Sequence, residues 1–294
     1  MNIAIAAFVL ALVGCAESWG QAVTSPAVER GKYLVEVIGA CGNCHTPKGP
    51  AGELPGKHMA GGFSITEEFG TAITPNITPD RETGIGRWSD AEIVRAIREG
   101  KGRDGRTLGP PMPYGLYRGL SDADVRAMVA YLRTLPAISH RPERSRYTIA
   151  LPASWGPPVG SVPEPPRDDL VKYGAYLAGP VAHCSECHTP LTPDHRMDTA
   201  RLFAGGFKFR GPFGASYSAN LTPDRATGIG AWTDAQVVAG IYGVKPTGQP
   251  VLPPMPWPYY AGRIADGDLK AIVAYLRSLP AIRNLVPRAE PPAR

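Results

Sequence analysis

This chain is poor in cysteine, in long apolar runs and in net charge. Five cysteines stand in 294 residues, four of them in two close pairs, so a framework of structural disulfides is excluded. The marked apolar run, Ile3 to Val13, covers eleven residues. That is the length of the hydrophobic part of an export signal and too short to span a bilayer. Formal charge is +5, from 31 basic and 26 acidic residues, too weak a bias to point to nucleic acid as a partner. Gly 34 and Pro 32 together make about 22% of the chain, just below the level of low complexity. With 43% hydrophobic residues the composition is globular, with many loops.

The paired cysteines are Cys41-Gly42-Asn43-Cys44-His45 and Cys184-Ser185-Glu186-Cys187-His188. Cys-x-x-Cys-His is the attachment signature of c-type haem. Residues three apart on a helical turn share a face, so both thiols meet one edge of a porphyrin and the following imidazole is aimed at the iron. Cys41, Cys44, Cys184 and Cys187 are thus thioether candidates, and His45 and His188 candidate proximal ligands, giving two covalent haems. The competing readings are a tetrathiolate zinc site and a redox-active dithiol. The His after each second Cys, and the wide separation of the pairs, argue against both.

An internal repeat adds the other half of each site. Gly31-Lys32-Tyr33-Leu34 returns as Gly174-Ala175-Tyr176-Leu177, and NITPDRETGIGRW from Asn76 as NLTPDRATGIGAW from Asn220. Both copies close on Ala-Tyr-Leu-Arg-x-Leu-Pro, ending at Pro136 and Pro280. A sixth ligand needed twice should occupy matching positions. Met112 stands 67 residues after His45, and Met255 the same 67 after His188. Each lies in Pro-Pro-Met-Pro, where the prolines fix the backbone around the thioether. Met59 and Met128 align with Phe203 and Ile272 and read as core filler. His58, His140, His183 and His195 have no His counterpart and read as surface or supporting groups.

The organisation follows from these landmarks. Residues 1–22 read as a signal peptide, with Gly20-Gln21-Ala22 a small-residue cleavage site. Alternatively 1–14 is a lipoprotein signal, with Leu12-Val13-Gly14-Cys15 presenting Cys15 for lipidation. The stretch before the apolar run has no Lys or Arg, a departure from the usual pattern. Either ending predicts a periplasmic protein, soluble or lipid-anchored through Cys15. The first domain spans 23–136, a Pro-rich linker 137–168, the second domain 169–283 and a tail 284–294. The linker is expected to be extended and semi-rigid, draped over both domains.

Three main helices are expected per repeat. The first runs from about Ala27 to Ile38, or from Asp168 to Leu177. The second starts at a capping box, Ser89 to Glu92 or Thr233 to Gln236. The third starts near Ser121 or Asp266, and its Tyr131 or Tyr275 is expected to pack on Gly31 or Gly174. Asn76, Asn220, Trp88 and Trp232 are candidate donors to haem propionates, with turn chemistry and core packing as the competing reading. Arg118, Arg126, Arg133, Lys208, Arg210 and Arg263 are candidate rim charges for docking.

Taken over both repeats, the mature chain resembles a dihaem class I cytochrome c. Its Asn-[Ile/Leu]-Thr-Pro-Asp-Arg-x-Thr-Gly-Ile-Gly-x-Trp phrase is similar to that of the cytochrome c subunits of alcohol, aldehyde, gluconate and related dehydrogenases. The resemblance implies an all-α, loop-rich fold of two tandem cytochrome c domains and an electron-transfer protein rather than an enzyme. It matches Cys41, Cys44, His45, Met112, Cys184, Cys187, His188 and Met255 to haem attachment and ligation. The implied donor is a dehydrogenase catalytic subunit, and the acceptor a quinone, an oxidase or another cytochrome of the respiratory chain. The best-known members carry three haems, whereas this chain has two pentads and ends at Arg294 without a membrane-anchoring tail. Two rivals remain: a dihaem peroxidase, which needs an iron with an open sixth position, and the dihaem subunit of a terminal oxidase.

Overall fold

The computed structural model describes residues 25–194, 196–211 and 213–291. The segment read as an export signal, with Cys15, and His195 lie outside them. In the first repeat α1 (Pro26–Tyr33) starts at Ser25, whose side chain accepts from Val28 N, with proline in the first turn. It runs unbroken into a π-helical turn, Leu34–Ile38, so the helix expected to Ile38 is present with its last turn widened. The pentad helix α2 (Gly42–His45) follows. Two short strands, β1 (Lys48–Gly49) and β2 (Gly52–Glu53), and a hairpin of β3 (Ser64–Glu67) and β4 (Gly70–Ile73), lead to α3 (Asp90–Glu99), α4 (Tyr114–Tyr117) and α5 (Asp122–Thr134).

After strand β5 (Arg146–Tyr147) the order recurs. Helix α6 (Leu170–Tyr176) runs into a π-helical turn at Leu177–Val181. The pentad helix α7 (Cys184–His188), the β6 (Lys208–Gly211) and β7 (Gly214–Tyr217) hairpin, α8 (Asp234–Ile241), α9 (Trp257–Tyr260) and α10 (Asp266–Ser278) follow. Both capping boxes form: Ser89 with Glu92, and Thr233 with Gln236, each satisfying the other's backbone amide. The fold is helical, but each repeat adds an antiparallel hairpin that an all-α fold lacks. Its strands are four residues long, too short to show an alternating apolar pattern. Among the described residues no helix is long and apolar enough to cross a membrane.

The first and last helices of each repeat cross at contact distance, and glycine makes this possible. A Cβ on Gly31 would lie 1.9 Å from the Ala127 carbonyl oxygen and 2.9 Å from Tyr131 Cβ. One on Gly174 would meet Ala271 O at 1.9 Å and Tyr275 Cβ at 2.8 Å. Tyr131 and Tyr275 therefore pack as expected, although the backbone carbonyl, rather than the ring, is what forbids a side chain.

Residues following Pro136 do not leave the first domain. Ile138 and His140 carbonyls accept from the Asn76 amide, and β5 pairs with β4. Tyr147 donates to Pro110 O at 3.0 Å. Trp155 donates to Leu108 O at 2.8 Å and stacks on Tyr114. Asp122 N reaches Val162 O at 2.9 Å. The Pro-rich segment is thus strapped along the first repeat over most of its length. The second repeat has a shorter strap: Asn220 donates to Ile282 O, Asn284 to Ala204 O, and Glu290 bridges Ala215.

The repeats pack through a reciprocal interface, the arrangement of a two-fold dimer within one chain. Tyr33 donates to Asp268 Oδ2 at 2.7 Å, and Tyr176 to Asp124 Oδ2 at 2.7 Å. Each tyrosine hydroxyl also accepts from the backbone opposite, Ala265 N or Ser121 N, at 3.2 Å. Leu34, Val35, Ile38, Leu177, Ala178 and Val181 of both π-helical turns share one buried cluster.

Candidate haem sites

Each pentad forms one helical turn directly after a π-helical turn. The residue before each first cysteine, Ala40 or His183, holds a left-handed backbone with φ of 45° or 43°. This costs about 1 kcal/mol for a side-chain-bearing residue, and its recurrence shows that the abrupt entry into the turn is built into the fold. The four cysteines are unbridged. Burial pushes the Cys41 and Cys184 thiols up to about 12 and raises Cys44 and Cys187 as well. They are neutral thiols, the opposite of the activated thiolate that a redox dithiol requires. Among the described residues no group of three or more His, Cys, Asp or Glu is placed to hold a metal ion.

The histidines are oriented alike. His45 Nδ1 lies 3.0 Å from Pro75 O, and His188 Nδ1 2.8 Å from Ala219 O. Since a carbonyl only accepts, Nδ1 carries the proton and Nε2 keeps its lone pair. Burial holds both imidazoles below the ordinary histidine range. A neutral ring with Nδ1–H tied to a carbonyl and a free Nε2 is what an iron ligand needs. Each carbonyl belongs to the residue before Asn76 or Asn220, which explains the recurring phrase. Asn76 Oδ1 accepts from Thr78 N and Oγ1 at 2.9 and 2.7 Å, and its amide donates to Thr83 and the strap. Asn220 repeats this with Thr222, Thr227 and Ile282. These buried amides are fully engaged in forming the turn that aims the histidine's carbonyl partner, leaving no donor for a propionate. Trp88 and Trp232 pack half-buried against the apolar cluster.

Met112 and Met255 occupy loops of one geometry, each following a cis Pro-Pro bond, Pro110-Pro111 or Pro253-Pro254. Met112 packs on the same apolar cluster as Cys41 and Cys184, and Met255 on a smaller one formed by Val37, Ala40, Tyr260, Ile264 and Leu269. Met59 and Phe203 are fully buried, and Met128 and Ile272 nearly so, as core filler should be. His140 Nδ1 lies 2.9 Å from Ala60 O, where the second repeat uses the Asn284 amide, and His183 packs edge-on to Tyr117. Several candidate rim charges have intramolecular roles: Arg133 clamps Asp90 and the Ile85 and Trp88 carbonyls, and Lys208 pairs with Glu290.

The two sites are neighbours. Cys44 bears electrostatically on Cys187, and buried Tyr260 senses the cysteines of both pentads. A Cβ on Gly42 would stand 3.2 Å from the Tyr259 ring of the other repeat. The π-helical turns thus bring the pentads together across the interface, a proximity that repeat matching alone does not reveal. Its only sequence signal is the shared Tyr33 and Tyr176, each facing an acidic residue at the start of a last helix.

Comparison with known proteins agrees with this geometry. The Cytochrome c family model matches residues 28–136, the first repeat. The chain is 39% identical to a subunit of the nicotinate dehydrogenase of Pseudomonas putida, over 59% of this chain and 14% of that protein. It is 30% identical to the fructose dehydrogenase cytochrome subunit of Gluconobacter japonicus, over 87% of this chain and 53% of that protein. It thus spans well under two thirds of either relative. A diheme cytochrome c-type protein of Cereibacter sphaeroides is 30% identical over 83% of both chains. The chain belongs to the cytochrome c family, as a dihaem c-type cytochrome with two covalently attached haems.

Proposed function

We propose that this cytochrome relays electrons one at a time from a periplasmic or membrane-associated dehydrogenase to the respiratory chain, with a quinone, an oxidase or another cytochrome as acceptor. When bound, haem supplies reversible one-electron exchange at iron. Cys41 and Cys44 would hold one group and Cys184 and Cys187 the other. His45 and His188 would offer Nε2 to the metal, with the tautomer fixed by Pro75 O and Ala219 O. Met112 and Met255 would supply the further ligand of each site. Their Pro-flanked loops hold the thioether in one place, and Met/His ligation keeps the potential high enough to accept electrons from a dehydrogenase.

The observation that carries this reading is the pairing of two equivalent pentad sites across a reciprocal interface, which suits passage through the protein better than chemistry at one centre. The dehydrogenase partner is supported by the names of the fructose and nicotinate dehydrogenase relatives. Export, and a lipid anchor at Cys15 in one of its two forms, are supported by the apolar run Ile3 to Val13. Purification of the tagged chain from native membranes tests the proposal. A dehydrogenase that copurifies and reduces the haems with its substrate is expected. Recovery of the cytochrome alone, with no reduction by any copurifying enzyme, would count against it.

A further inference from the structure

The first repeat holds a polar cluster that the second replaces with apolar groups. Glu36, in the π-helical turn that feeds the pentad, accepts from Tyr131 OH at 2.6 Å and pairs with His58 Nε2 at 2.8 Å. Its side chain is 12% exposed. His58 Nδ1 lies 3.5 Å from Thr46 Oγ1, the residue after the pentad. In the second repeat the matching positions are Gly179 and Leu202, so Tyr275 has neither partner there. A network on one side of a near-symmetric pair, placed at the attachment turn, distinguishes the sites electrically.

The charged and titratable groups around it come from both repeats. Arg263 of the second repeat acts on Glu36, and Glu53 acts on His58. Glu53 also accepts from Tyr259 OH, which senses Glu36 and Cys44. Burial opposes ionisation of Glu36, but the hydrogen bonds from His58 and Tyr131 outweigh it and hold the carboxyl below its usual range. Glu36 is therefore an anion at neutral pH, and it is close enough to Cys41 to raise that thiol.

We propose that Glu36 and His58 set the order of electron flow: the Glu36 carboxylate beside Cys41 makes the first haem site the easier to oxidise, so electrons pass from it to the second. This rests on the dihaem relay reading. An anion near iron favours the ferric state, because it offsets the extra positive charge. His58 adds proton linkage. With Nε2–H held by Glu36, its free position is Nδ1. When the first site gains an electron from the donor protein, the lost positive charge raises the affinity of Nδ1 for a proton taken from water. The first site's potential therefore falls as pH rises through the His58 titration, and the second site's does not.

Spectroelectrochemical titration of the holo-protein tests this. Two one-electron waves are expected, with Met255→His displacing the higher one and so assigning it to the second site. Glu36→Gln, which keeps the side chain's size and an acceptor for Tyr131, should raise the lower wave alone. His58→Leu, the residue of the second repeat, should abolish that wave's pH dependence, and a thermal melt of each variant confirms folding. Equal movement of both waves in Glu36→Gln, no movement, or assignment of the lower wave to the second site overturns the inference. A native holo-protein that shows one wave overturns the inference as well, whereas carbon monoxide binding at either iron instead overturns the relay reading itself.

Discussion

The two repeats carry the same paired cysteines, the same histidine-to-carbonyl bond and the same Pro-Met-Pro loop, yet their surroundings differ in three places. The loop before Met112 is covered by Tyr147 and Trp155 of the strap. The loop before Met255 has no tyrosine or tryptophan of a strap over it among the described residues: Ser216 donates to Pro253 O at 2.6 Å in the place of Tyr147, and Val244 and Leu252 are exposed. At the interface, Asp124 receives Tyr176 and a two-pronged Arg30, both contacts at 2.9 Å, whereas Asp268 receives Tyr33 and faces Tyr173 where the other half has Arg30. The Glu36 cluster has no counterpart. Duplication has preserved the residues assigned to haem, and divergence has fallen on their surroundings.

Substitutions at matched positions sharpen that comparison. The largest effect is expected at the helix crossing. Gly31→Ala and Gly174→Ala each drive a Cβ to 1.9 Å from a carbonyl oxygen. Each should lose about 3 kcal/mol or more, because the obstacle is backbone and cannot turn aside. Thermal melts with similar large losses in both would show that this part is shared. A tolerated alanine at either would contradict the packing.

The interface should respond unequally. Arg30→Met leaves Asp124, whose side chain is 4% exposed, without its cation, a loss of about 3 kcal/mol at neutral pH. Asp268→Asn removes a weaker partner and should cost about 1 kcal/mol. Burial works to raise the Asp124 carboxyl, but Arg30 more than offsets it and the group titrates below its usual range. A lowered carboxyl stabilises above the unfolded value, near 4, and loses that contribution as pH falls through the folded one. Urea midpoints of wild type and Arg30→Met should therefore draw together as pH falls below about 4. A difference that does not narrow on acidification would remove the ion pair as its cause.

Uncovering the first Met loop is expected to have a smaller effect. Trp155→Ala loses a stacked ring and one hydrogen bond, about 2 kcal/mol, with faster amide exchange confined to the Met112 loop. Equal acceleration around Met255 would show that the strap acts globally. The smallest stability change belongs to His58→Leu, under about 1 kcal/mol, since the His58 side chain is 43% exposed and screened. The Glu36 hydrogen bond raises the His58 pKa despite opposing desolvation. Its contribution is present below the ordinary histidine value and lost as pH rises through the folded one. Melts at pH 5 and pH 9 should differ in that sense.

Much of this is legible in the sequence for a physical reason: haem attachment and helix starts are local. The pentads, the matched Met112 and Met255, the capping boxes at Ser89 and Thr233, and the glycine-tyrosine contact between first and last helices all follow from spacing within a few turns or between copies. What is not legible depends on long-range docking. The hairpins are too short to carry a pattern, and the strap reads as a linker because its hydrogen bonds go to carbonyls far away in sequence. By residue type, Asn76 and Asn220 suit a propionate or a turn equally well. Only the position of Ile138, Ile282, Thr83 and Thr227 decides for the turn. The reciprocal Tyr33 and Tyr176 bonds, which bring the sites together, join residues more than fifty positions apart.

The central claim is that both sites are matched six-coordinate His/Met centres, and the optical spectrum of the reduced holo-protein under carbon monoxide tests it most directly. Two low-spin haems that leave carbon monoxide unbound are expected, with Met112→Ala and Met255→Ala each converting one haem to the carbon monoxide complex. Binding by the unaltered chain, or no conversion in either variant, would contradict it.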